Sequence, residues 1–327
     1  MPFMTDSRPT ISIILPVKPG GTVRALVPLR DVTYPADRYE VIIAEGRRPS
    51  CQRNRAAAEA RGEILYFLDD DSLVEPDNLE RLARHFTDPA VAAVGGPSLT
   101  PDNDSPLQQA FGLTLSSPLG GGSVRNRYRR TGMVRRTDDS ELILCNLAFR
   151  KKVFIDSGGL DERLYPNEEN ELMDRLKAGG HALLHDPDLA VHRSQRATAG
   201  AYLRQLYTYG RGRGEQTRIT RQGKIASFLP VFFLVYIITL LFSMSPWPVW
   251  WPLVGYLALV ACQAVVAGCA ARLVGSGLHL LWTLPALHLC YGAGMVAGLC
   301  CPRYERDGNG ERAVQLRVVK ALGQPRL

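Results

Sequence analysis

Short runs of apolar residues recur through the first hundred positions, and each has the length of a β-strand. They are rich in β-branched or aromatic side chains and occupy residues 11–15, 41–44, 64–68 and 91–94. Segments with helical character separate them, at 22–29, 52–60 and 78–86. This alternation predicts an α/β domain whose parallel sheet is covered by helices on both faces.

A much longer apolar pattern follows. Between Ala226 and Pro302 only Arg272 carries a formal charge, although the chain as a whole has 39 Lys and Arg and 32 Asp and Glu. A helix needs about 20 apolar residues to cross a bilayer. The stretches 225–244, 250–270 and 278–300 meet that requirement, and tryptophans between the first two are typical of a membrane interface. A wholly soluble globule is therefore excluded.

The third stretch differs from the other two. Pro285 interrupts it and Gly292, Gly294 and Gly298 loosen it; the alternative is that Gly294 and Gly298 form a face for close helix packing. Three crossings would also place the basic residues after Arg303 on the side opposite the first domain. Two interpretations stay open: a third crossing, or a re-entrant or interfacial helix.

Charge predicts the orientation. Residues 193–224 contain eight basic residues and a single acid, Glu215, directly before the first apolar stretch. The positive-inside rule then places the preceding domain in the cytoplasm, and residues 1–9 contain no apolar segment of signal-peptide length. We expect a multi-pass protein of the cell's inner (plasma) membrane. Its predicted parts are a catalytic domain, a basic juxtamembrane segment, three transmembrane helices and a basic tail, at 1–192, 193–224, 225–302 and 303–327.

Acidic side chains follow the predicted strands. Pro16 and Val17 end the first, Glu45 follows the second, and Asp69–Asp71 follow the third. The carboxyl ends of parallel strands meet at one edge, where ligands bind in such folds. Three adjacent carboxylates repel one another unless a cation offsets them, and oxygen ligands suit Mg²⁺ or Mn²⁺. The alternative is an acidic turn that caps the next helix.

The second half of the domain adds further carboxylates. A helix predicted from Glu168 to Lys177 has acids in its first turn, which the helix dipole favours. Glu168 and Glu169 are candidates for a general base, whereas Glu171 and Arg175 are four apart and are expected to pair structurally. His192 ends a short predicted strand.

Taken in order, these segments resemble the family-2 glycosyltransferases of GT-A fold, over residues 10–213. The matching segments are Ile14-Leu15-Pro16-Val17, Ile42-Ile43-Ala44-Glu45, Arg53-Asn54 before an alanine-rich helix and Gly62-Glu63, Phe67-Leu68-Asp69-Asp70-Asp71, Gly158-Gly159-Leu160-Asp161-Glu162, Glu168-Glu169, and Arg175 to Gly180. The resemblance implies a Rossmann-like mixed sheet flanked by helices, followed here by a C-terminal transmembrane helical region.

The resemblance also implies roles for individual residues. Asp69 would contact the ribose of a nucleotide-sugar donor, and Asp71 would bind Mg²⁺ or Mn²⁺ with His192 as a further ligand. Glu169 would be the base, with Glu168 as the alternative. The other residues expected to bind the donor are Pro16, Val17, Glu45, Arg53, Asn54, Asp70, Arg211 and Arg213. Glu45 and Glu169 depart from the family pattern, which has Asp at both positions.

The chemistry expected is transfer of a sugar, with inversion at C1, to a membrane-associated acceptor. The acceptor would be a lipid-linked glycan or a polysaccharide precursor, and membrane lipids would be further partners. The missing Gln-x-x-Arg-Trp element argues against a processive synthase. A non-catalytic adaptor that binds nucleotide sugar or anionic lipid is the alternative. A nucleotidyltransferase is a third interpretation, disfavoured by Glu168-Glu169.

Two arginine-rich stretches, 125–136 and 193–224, raise the question of nucleic acid. The second adjoins a predicted membrane helix, where basic residues contact anionic lipid. We therefore expect no nucleic-acid partner.

Overall fold

The computed structural model describes residues 8–242, 246–303 and 313–327. Met244, the predicted end of the first apolar stretch, and residues 304–312 of the predicted tail lie outside the described residues. The described chain forms two compact units. The first contains residues 8–99, 129–193 and 313–327, and the second contains 100–128, 194–242 and 246–303.

The strands belong to the first unit. They are β1 (Ile11–Val17), β2 (Tyr39–Glu45), β3 (Ile64–Leu68), β4 (Leu73–Val74), β5 (Val91–Gly95), β6 (Ser98–Leu99), β7 (Arg135–Arg136), β8 (Asn146–Arg150), β9 (Ala182–His185), β10 (Val191–His192) and β11 (Gln315–Lys320). The four strands predicted from apolar runs correspond to β1, β2, β3 and β5.

Eight of these strands form one mixed sheet in the order β11-β2-β1-β3-β8-β5-β9-β7, and the other three form a small sheet, β4-β10-β6. β1 pairs in parallel with β2 and β3, while β8 is antiparallel to both β3 and β5. The mixed α/β sheet confirms the predicted fold class.

The large sheet buries apolar side chains on both faces, as the continuous apolar runs predict. Along β1, Ile11, Ile13 and Leu15 join one core cluster, whereas Ile14 joins the other with Ile42 and Phe67. Successive side chains of a strand point to opposite faces. Both faces of the central strands are therefore removed from water.

The helices are α1 (Pro49–Glu59), α2 (Asn78–His85), α3 (Pro106–Ser116), α4 (Pro118–Gly121), α5 (Lys151–Asp156), α6 (Glu168–Ala178), α7 (Ala199–Thr220), α8 (Ile225–Phe242), α9 (Trp251–Ala270), α10 (Val274–Leu278) and α11 (Leu280–Cys300). Residues 22–29, predicted as helical, form only two 3-10 turns, Arg24–Leu26 and Pro28–Arg30. Pro28 has no backbone N–H to donate and so interrupts a longer helix.

β11 lies in the segment that the sequence marks only as a basic tail. It pairs antiparallel with β2, with Leu316 opposite Ala44 and Val318 opposite Ile42. Lys320 is 2% exposed, and its ammonium donates to the carbonyl oxygens of Tyr39, at 2.7 Å, and Ala36. It also lies 4.1 Å from the centroid of the Tyr39 ring. Three interactions thus satisfy a buried charge at the end of this strand.

The second unit is helical. Three of its helices are long and apolar enough to cross a membrane: Ile225–Phe242, Trp247–Ala270, which includes a 3-10 turn before α9, and Leu280–Cys300. These correspond to the three predicted apolar stretches.

The closest packing in the second unit is between α7 and α11. A Cβ atom at Gly294 would lie 2.0 Å from the carbonyl oxygen of Tyr207, and one at Gly298 would lie 2.1 Å from that of Arg211. Only glycine allows the two backbones to approach so closely. Gly294 and Gly298 therefore form a close packing face, which was the alternative to a loosened helix.

We predict that Gly294→Ala lowers the thermal unfolding midpoint of the detergent-solubilised protein. The added methyl group must separate two packed helices, at a cost of about 1–3 kcal/mol. Gly255→Ala on α9 is the matched control, because no atom lies within 4 Å of its Cβ position. Equal midpoints for the two variants would contradict the packing described here.

Candidate active site

The carboxyl ends of three neighbouring strands define one edge of the large sheet. Val17 at the end of β1 lies in register with Glu45 at the end of β2, and Asp69 directly follows β3. The structure therefore brings the ends of these strands to the edge where ligands bind in parallel sheets. Pro16 and Val17 are buried there.

A buried glutamine links β1 and β2 by hydrogen bonds at this edge. Gln52 on α1 donates its side-chain amide to the carbonyl oxygens of Val17, at 2.9 Å, and Ala44. Glu45 accepts a 3.3 Å hydrogen bond from the backbone N–H of Gly20. The carboxylate of Glu45 is thus held over the loop that follows β1.

The aspartates after β3 contact arginine. Arg193 donates Nε to Asp71 Oδ1 at 2.6 Å, and its Nη2 lies 3.1 Å from Asp69 Oδ2. Arg24 is more distant, with Nη2 3.9 Å from Asp71 Oδ2. Arg193 therefore bridges the first and third aspartates of the run.

The pKa of Asp70, which lies between these two aspartates in the sequence, is set mainly by burial and by its acidic neighbours, not by an arginine. Burial raises the pKa of Asp70, and the neighbouring carboxylates Asp71 and Asp69 raise it further, against the opposing effect of Arg193 and Arg24. Negative charge at this edge of the sheet is therefore in excess.

Arg53 on α1 links two carboxylates from distant parts of the chain. Its side chain is 5% exposed, and its Nη2 and Nη1 donate to Asp69 Oδ1 at 2.8 Å and to Glu168 Oε1 at 3.0 Å. Burial opposes the charge of Arg53, but Asp69 and then Glu168 outweigh it and raise its pKa. The guanidinium therefore stays charged inside the domain.

Glu168 and Glu169 are adjacent at the start of α6 but lie in different environments. Burial, and then the Glu169 charge, raise the pKa of Glu168 to about 8 despite Arg53. The second oxygen of Glu168 is buried without a hydrogen-bond partner in the described part of the chain. Glu169 is 8% exposed, and no described side chain hydrogen-bonds to its carboxylate. Burial therefore disfavours ionisation of Glu168, whereas its contact with Arg53 favours it.

His192 lies near the aspartates but contacts a different acid. β10 pairs with β4, so that His192 is opposite Leu73, two residues after Asp71. Its Nε2 lies 3.2 Å from Glu75 Oε1, which also pairs with Arg130. The imidazole of His192 thus contacts Glu75, whereas the side chain of the next residue, Arg193, contacts Asp69 and Asp71.

Three of the expected donor-binding residues form contacts elsewhere. Asn54 exchanges hydrogen bonds with the backbone of Leu160, at 2.8 and 2.9 Å, and so holds α1 to the loop before α6. Arg211 and Arg213 belong to the second unit. There Arg211 donates to Glu215 and to the Cys301 carbonyl, and Arg213 donates to Gln216.

The expected pairing of Glu171 with Arg175 is confirmed. Arg175 Nε donates to Glu171 Oε1 at 2.6 Å. This carboxylate therefore supports α6 and the preceding loop.

Ligands for a divalent metal at this site would have to come from its acidic side chains. Within the described ranges, no three His, Cys, Asp or Glu side chains converge as metal ligands. Asp69 and Asp71 nevertheless supply hard oxygen atoms on one cluster, and a guanidinium neutralises both. The chemistry of the cluster fits a divalent cation that takes over this neutralising role from Arg193.

Sequence reasoning missed Arg193, Gln52 and Glu75 as parts of this region. From the sequence, Arg193 was distinguished only as the first residue of the basic run 193–224. Its position directly after His192, at the end of a strand, was the available signal. Gln52 adjoins the Arg53-Asn54 pair and had no distinguishing feature of its own.

Comparison with known proteins adds to this geometry. The model of the family described as glycosyl transferase family 2 matches residues 22–158. The Pre-mycofactocin glycosyltransferases of two strains of Mycobacterium tuberculosis are 26% identical to the chain over 164 residues. That match covers 50% of this chain and 33% of each relative, so the chain spans about a third of the length of these proteins.

Among solved structures, the fold is similar to that of the mannosyltransferase PcManGT from Pyrobaculum calidifontis, determined in complex with GDP-Man and Mn²⁺. The TM-score is 0.54 at 16% sequence identity, over 85% of this chain and 88% of the other. The likeness supports a GT-A-like fold.

The buried carboxyl group predicts a pH dependence of stability. An unfolded Glu ionises near pH 4.3, whereas Glu168 in the folded chain ionises at about 8. Between these values the folded chain holds the extra proton, so its stability falls as the pH rises through this window. We predict that Glu168→Gln flattens this fall, measured as the thermal midpoint between pH 5 and pH 8. The exposed Glu59→Gln is the control, and equal slopes in all three proteins would contradict the prediction.

Proposed function

We propose that this chain, which carries a family-2 glycosyltransferase domain, transfers a sugar from a nucleoside diphosphate sugar to an acceptor at a membrane surface. The observation that carries the proposal is the cluster of Asp69, Asp71, Arg53 and Arg193 at the carboxyl edge of the sheet, with Glu169 beside Glu168. The matched family model and the GT-A-like fold support it.

The donor would lie along the strand edge. The ends of β1 and β2, at Val17 and Glu45, accommodate the base, and Asp69 accepts hydrogen bonds from the ribose. Asp71, with Asp69, would hold a divalent ion, which when bound would stabilise the negative charge of the leaving diphosphate. The donor of the mannosyltransferase named above suggests a guanosine nucleotide as a first candidate.

Glu169 is the base in this proposal. Glu168 is the less suitable base, because it is 2% exposed and one of its oxygens is occupied by Arg53. Glu169 has no competing side-chain hydrogen bond among the described residues and is the more exposed of the two. A carboxylate in this position takes the proton of the acceptor hydroxyl in the transition state.

The step is a direct displacement. The acceptor oxygen forms a bond to C1 of the sugar as the bond from C1 to the phosphate oxygen breaks, and the hydroxyl proton passes to Glu169. The nucleoside diphosphate leaves with the electron pair, and the configuration at C1 is inverted. Arg193 and Arg53 add positive charge beside the aspartates, which favours the departure of an anion.

The acceptor is membrane-associated in this proposal, either a lipid-linked glycan or a polysaccharide precursor. Three helices of suitable length and composition support attachment to a membrane. The eight basic residues of 193–224 favour the cytoplasmic side of the plasma membrane for the catalytic domain.

We predict that Glu169→Gln abolishes most sugar transfer. Loss of a general base typically costs about 10²–10⁴-fold in rate. The measurement is nucleoside diphosphate release from a panel of nucleotide sugars by the purified full-length protein, with Glu59→Gln as the control. Full activity of Glu169→Gln would overturn its role, and donor binding by calorimetry without release from any donor would favour a binding adaptor.

We also predict that Arg193→Ala increases the affinity for Mn²⁺ in the absence of donor. Removing the guanidinium leaves Asp69 and Asp71 without their main neutralising partner, and about tenfold tighter binding is expected from the loss of one adjacent positive charge. Titration followed by the electron paramagnetic resonance signal of free Mn²⁺ measures this directly. The exposed Arg30→Ala is the control. Unchanged or weaker binding by Arg193→Ala would show that the ion does not use these aspartates.

A further inference from the structure

The pairing of β11 with β2 constrains how the chain crosses a membrane. β2 precedes every long apolar helix, and β11 follows all three. The two strands pair over several residues, and the buried Lys320 fixes the end of β11 to the carbonyl oxygens of Tyr39 and Ala36. Adjacent strands of one sheet lie on the same side of a bilayer. The number of crossings between residues 45 and 315 is therefore even.

Three helices have the length and composition to cross, so at least one of them does not. They differ in how much of each is covered by protein. The share of buried residues is 6% for Ile225–Phe242, 17% for Trp247–Ala270 and 39% for Leu280–Cys300. The third helix, α11, is the one most covered by protein, and we take it as the helix that does not cross.

The buried residues of α11 are covered by α3 and α7 and also by α8 and α9: a Cβ atom at Gly292 would lie 2.4 Å from the Pro230 carbonyl oxygen of α8, and His288 Nδ1 lies 2.8 Å from the Tyr256 hydroxyl of α9. Thr283 Oγ1 lies 2.6 Å from Thr114 Oγ1 of α3, and the Trp282 ring packs edge-on against Phe111. Residues 100–128, which include α3, connect at both ends to the first unit. They contain no stretch long enough to cross a bilayer, and so α3 stays on the side of the large sheet.

The end of α11 is attached to charged groups of α7. Glu215 is 1% exposed and accepts the backbone N–H of Arg303 at 2.8 Å and Nε of Arg211 at 3.2 Å. Arg211 and Arg218 donate in turn to the carbonyl oxygens of Cys301 and Leu299, at 2.8 and 2.9 Å. α7 packs along α11 at Gly294 and Gly298 and contains four arginines, so a crossing α11 would bring a highly charged helix with it, and guanidinium groups within a bilayer are costly.

α8 and α9 have the opposite character. They run antiparallel, with the Phe233 and Tyr256 rings 4.6 Å apart and the Tyr236 hydroxyl donating to the Val249 carbonyl at 2.7 Å. Their outer faces are apolar and exposed, and Trp247, Trp250 and Trp251 lie at the turn between them. Helices of 18 and 20 residues reach about 27–30 Å, which matches a bilayer core.

We propose that the chain crosses the bilayer twice, through α8 and α9, and that α11 lies in the membrane interface on the side of the large sheet. α3, α7, α8 and α9 pack against α11, and its remaining surface, which includes the exposed Leu281 and Val296, contacts lipid. β11 then returns the chain to the catalytic domain. This proposal depends on the membrane attachment proposed above and not on sugar transfer.

Reporter fusions test the number of crossings in the full-length protein. Green fluorescent protein and alkaline phosphatase are fused in turn after Leu327 and before Met1, and the fusions are expressed in a bacterial host. Two crossings give fluorescence and no phosphatase activity at both ends. Phosphatase activity at the C-terminal fusion with fluorescence at the N-terminal fusion means an odd number of crossings and overturns the proposal.

The turn between α8 and α9 is tested separately. In a variant whose cysteines outside the first unit are replaced by serine, Trp247→Cys is treated in intact cells with a membrane-impermeant maleimide. We expect labelling from outside, whereas the control Pro325→Cys is labelled only after permeabilisation. Protection of Trp247→Cys in intact cells, with labelling after permeabilisation, means that the hairpin does not reach the far side and overturns the proposal.

A cross-link tests the strand pairing on which the argument depends. Ala44 and Leu316 are opposite each other and contribute to the same core cluster, so Ala44→Cys with Leu316→Cys should form a disulfide on oxidation. Ala44→Cys with Arg317→Cys is the control, because adjacent residues of a strand point to opposite faces. Equal cross-linking of the two pairs, or none in the first, overturns the pairing.

The experiments separate this proposal from the proposed function. Release of the protein from membranes by alkaline carbonate would show that the protein is not embedded in the bilayer, and would contradict the proposed membrane attachment. A retained protein with its C-terminal reporter outside would contradict the two crossings alone. An inactive protein with both reporters inside would leave the topology supported and the transferase activity refuted.

Discussion

Arg53 is buried between two carboxylates from distant parts of the chain, Asp69 at the end of β3 and Glu168 at the start of α6. A buried guanidinium must be paired, because an uncompensated charge inside a protein is strongly destabilising. The pair of contacts therefore fixes α1, β3 and α6 relative to one another. It also places adjacent residues of α6 in different environments, because Glu168 contacts Arg53 and Glu169 is the more exposed carboxylate.

The second unit is organised by close backbone contact together with a single buried acid. Glycines let the backbones of α7 and α11 approach closely. Glu215 on α7 accepts hydrogen bonds from Arg211 of the same helix and from Arg303, which follows α11. The basic run before α8 thus also makes contacts within the second unit. Arg211 and Arg218 satisfy carbonyl groups at the end of α11, which lack partners within their own helix. Charge counting treats all members of the run alike, whereas the structure assigns them different tasks.

The sequence was most informative where local pattern and burial agree. Apolar runs identified β1, β2, β3 and β5, and the position of acids after those strands indicated Asp69–Asp71. β11 could not be found in this way, since Gln315, Arg317 and Lys320 alternate with its apolar residues and its contact with Tyr39 spans 281 positions. The part played by Arg193 arises only when the two-residue strand β10 pairs beside β4. The different environments of Glu168 and Glu169 likewise depend on tertiary packing.

β11 also gives the chain an order of assembly. Seven of the eight strands of the large sheet, and all three long apolar helices, are synthesised before residues 315–320 leave the ribosome. Until then the outer edge of β2 has unpaired backbone groups, which other strands can join. β11 is therefore the last strand added to the large sheet, and the first unit is complete only after the three long apolar helices have been made. A nascent chain stalled before residue 315 would leave that edge of β2 open to pairing with other strands.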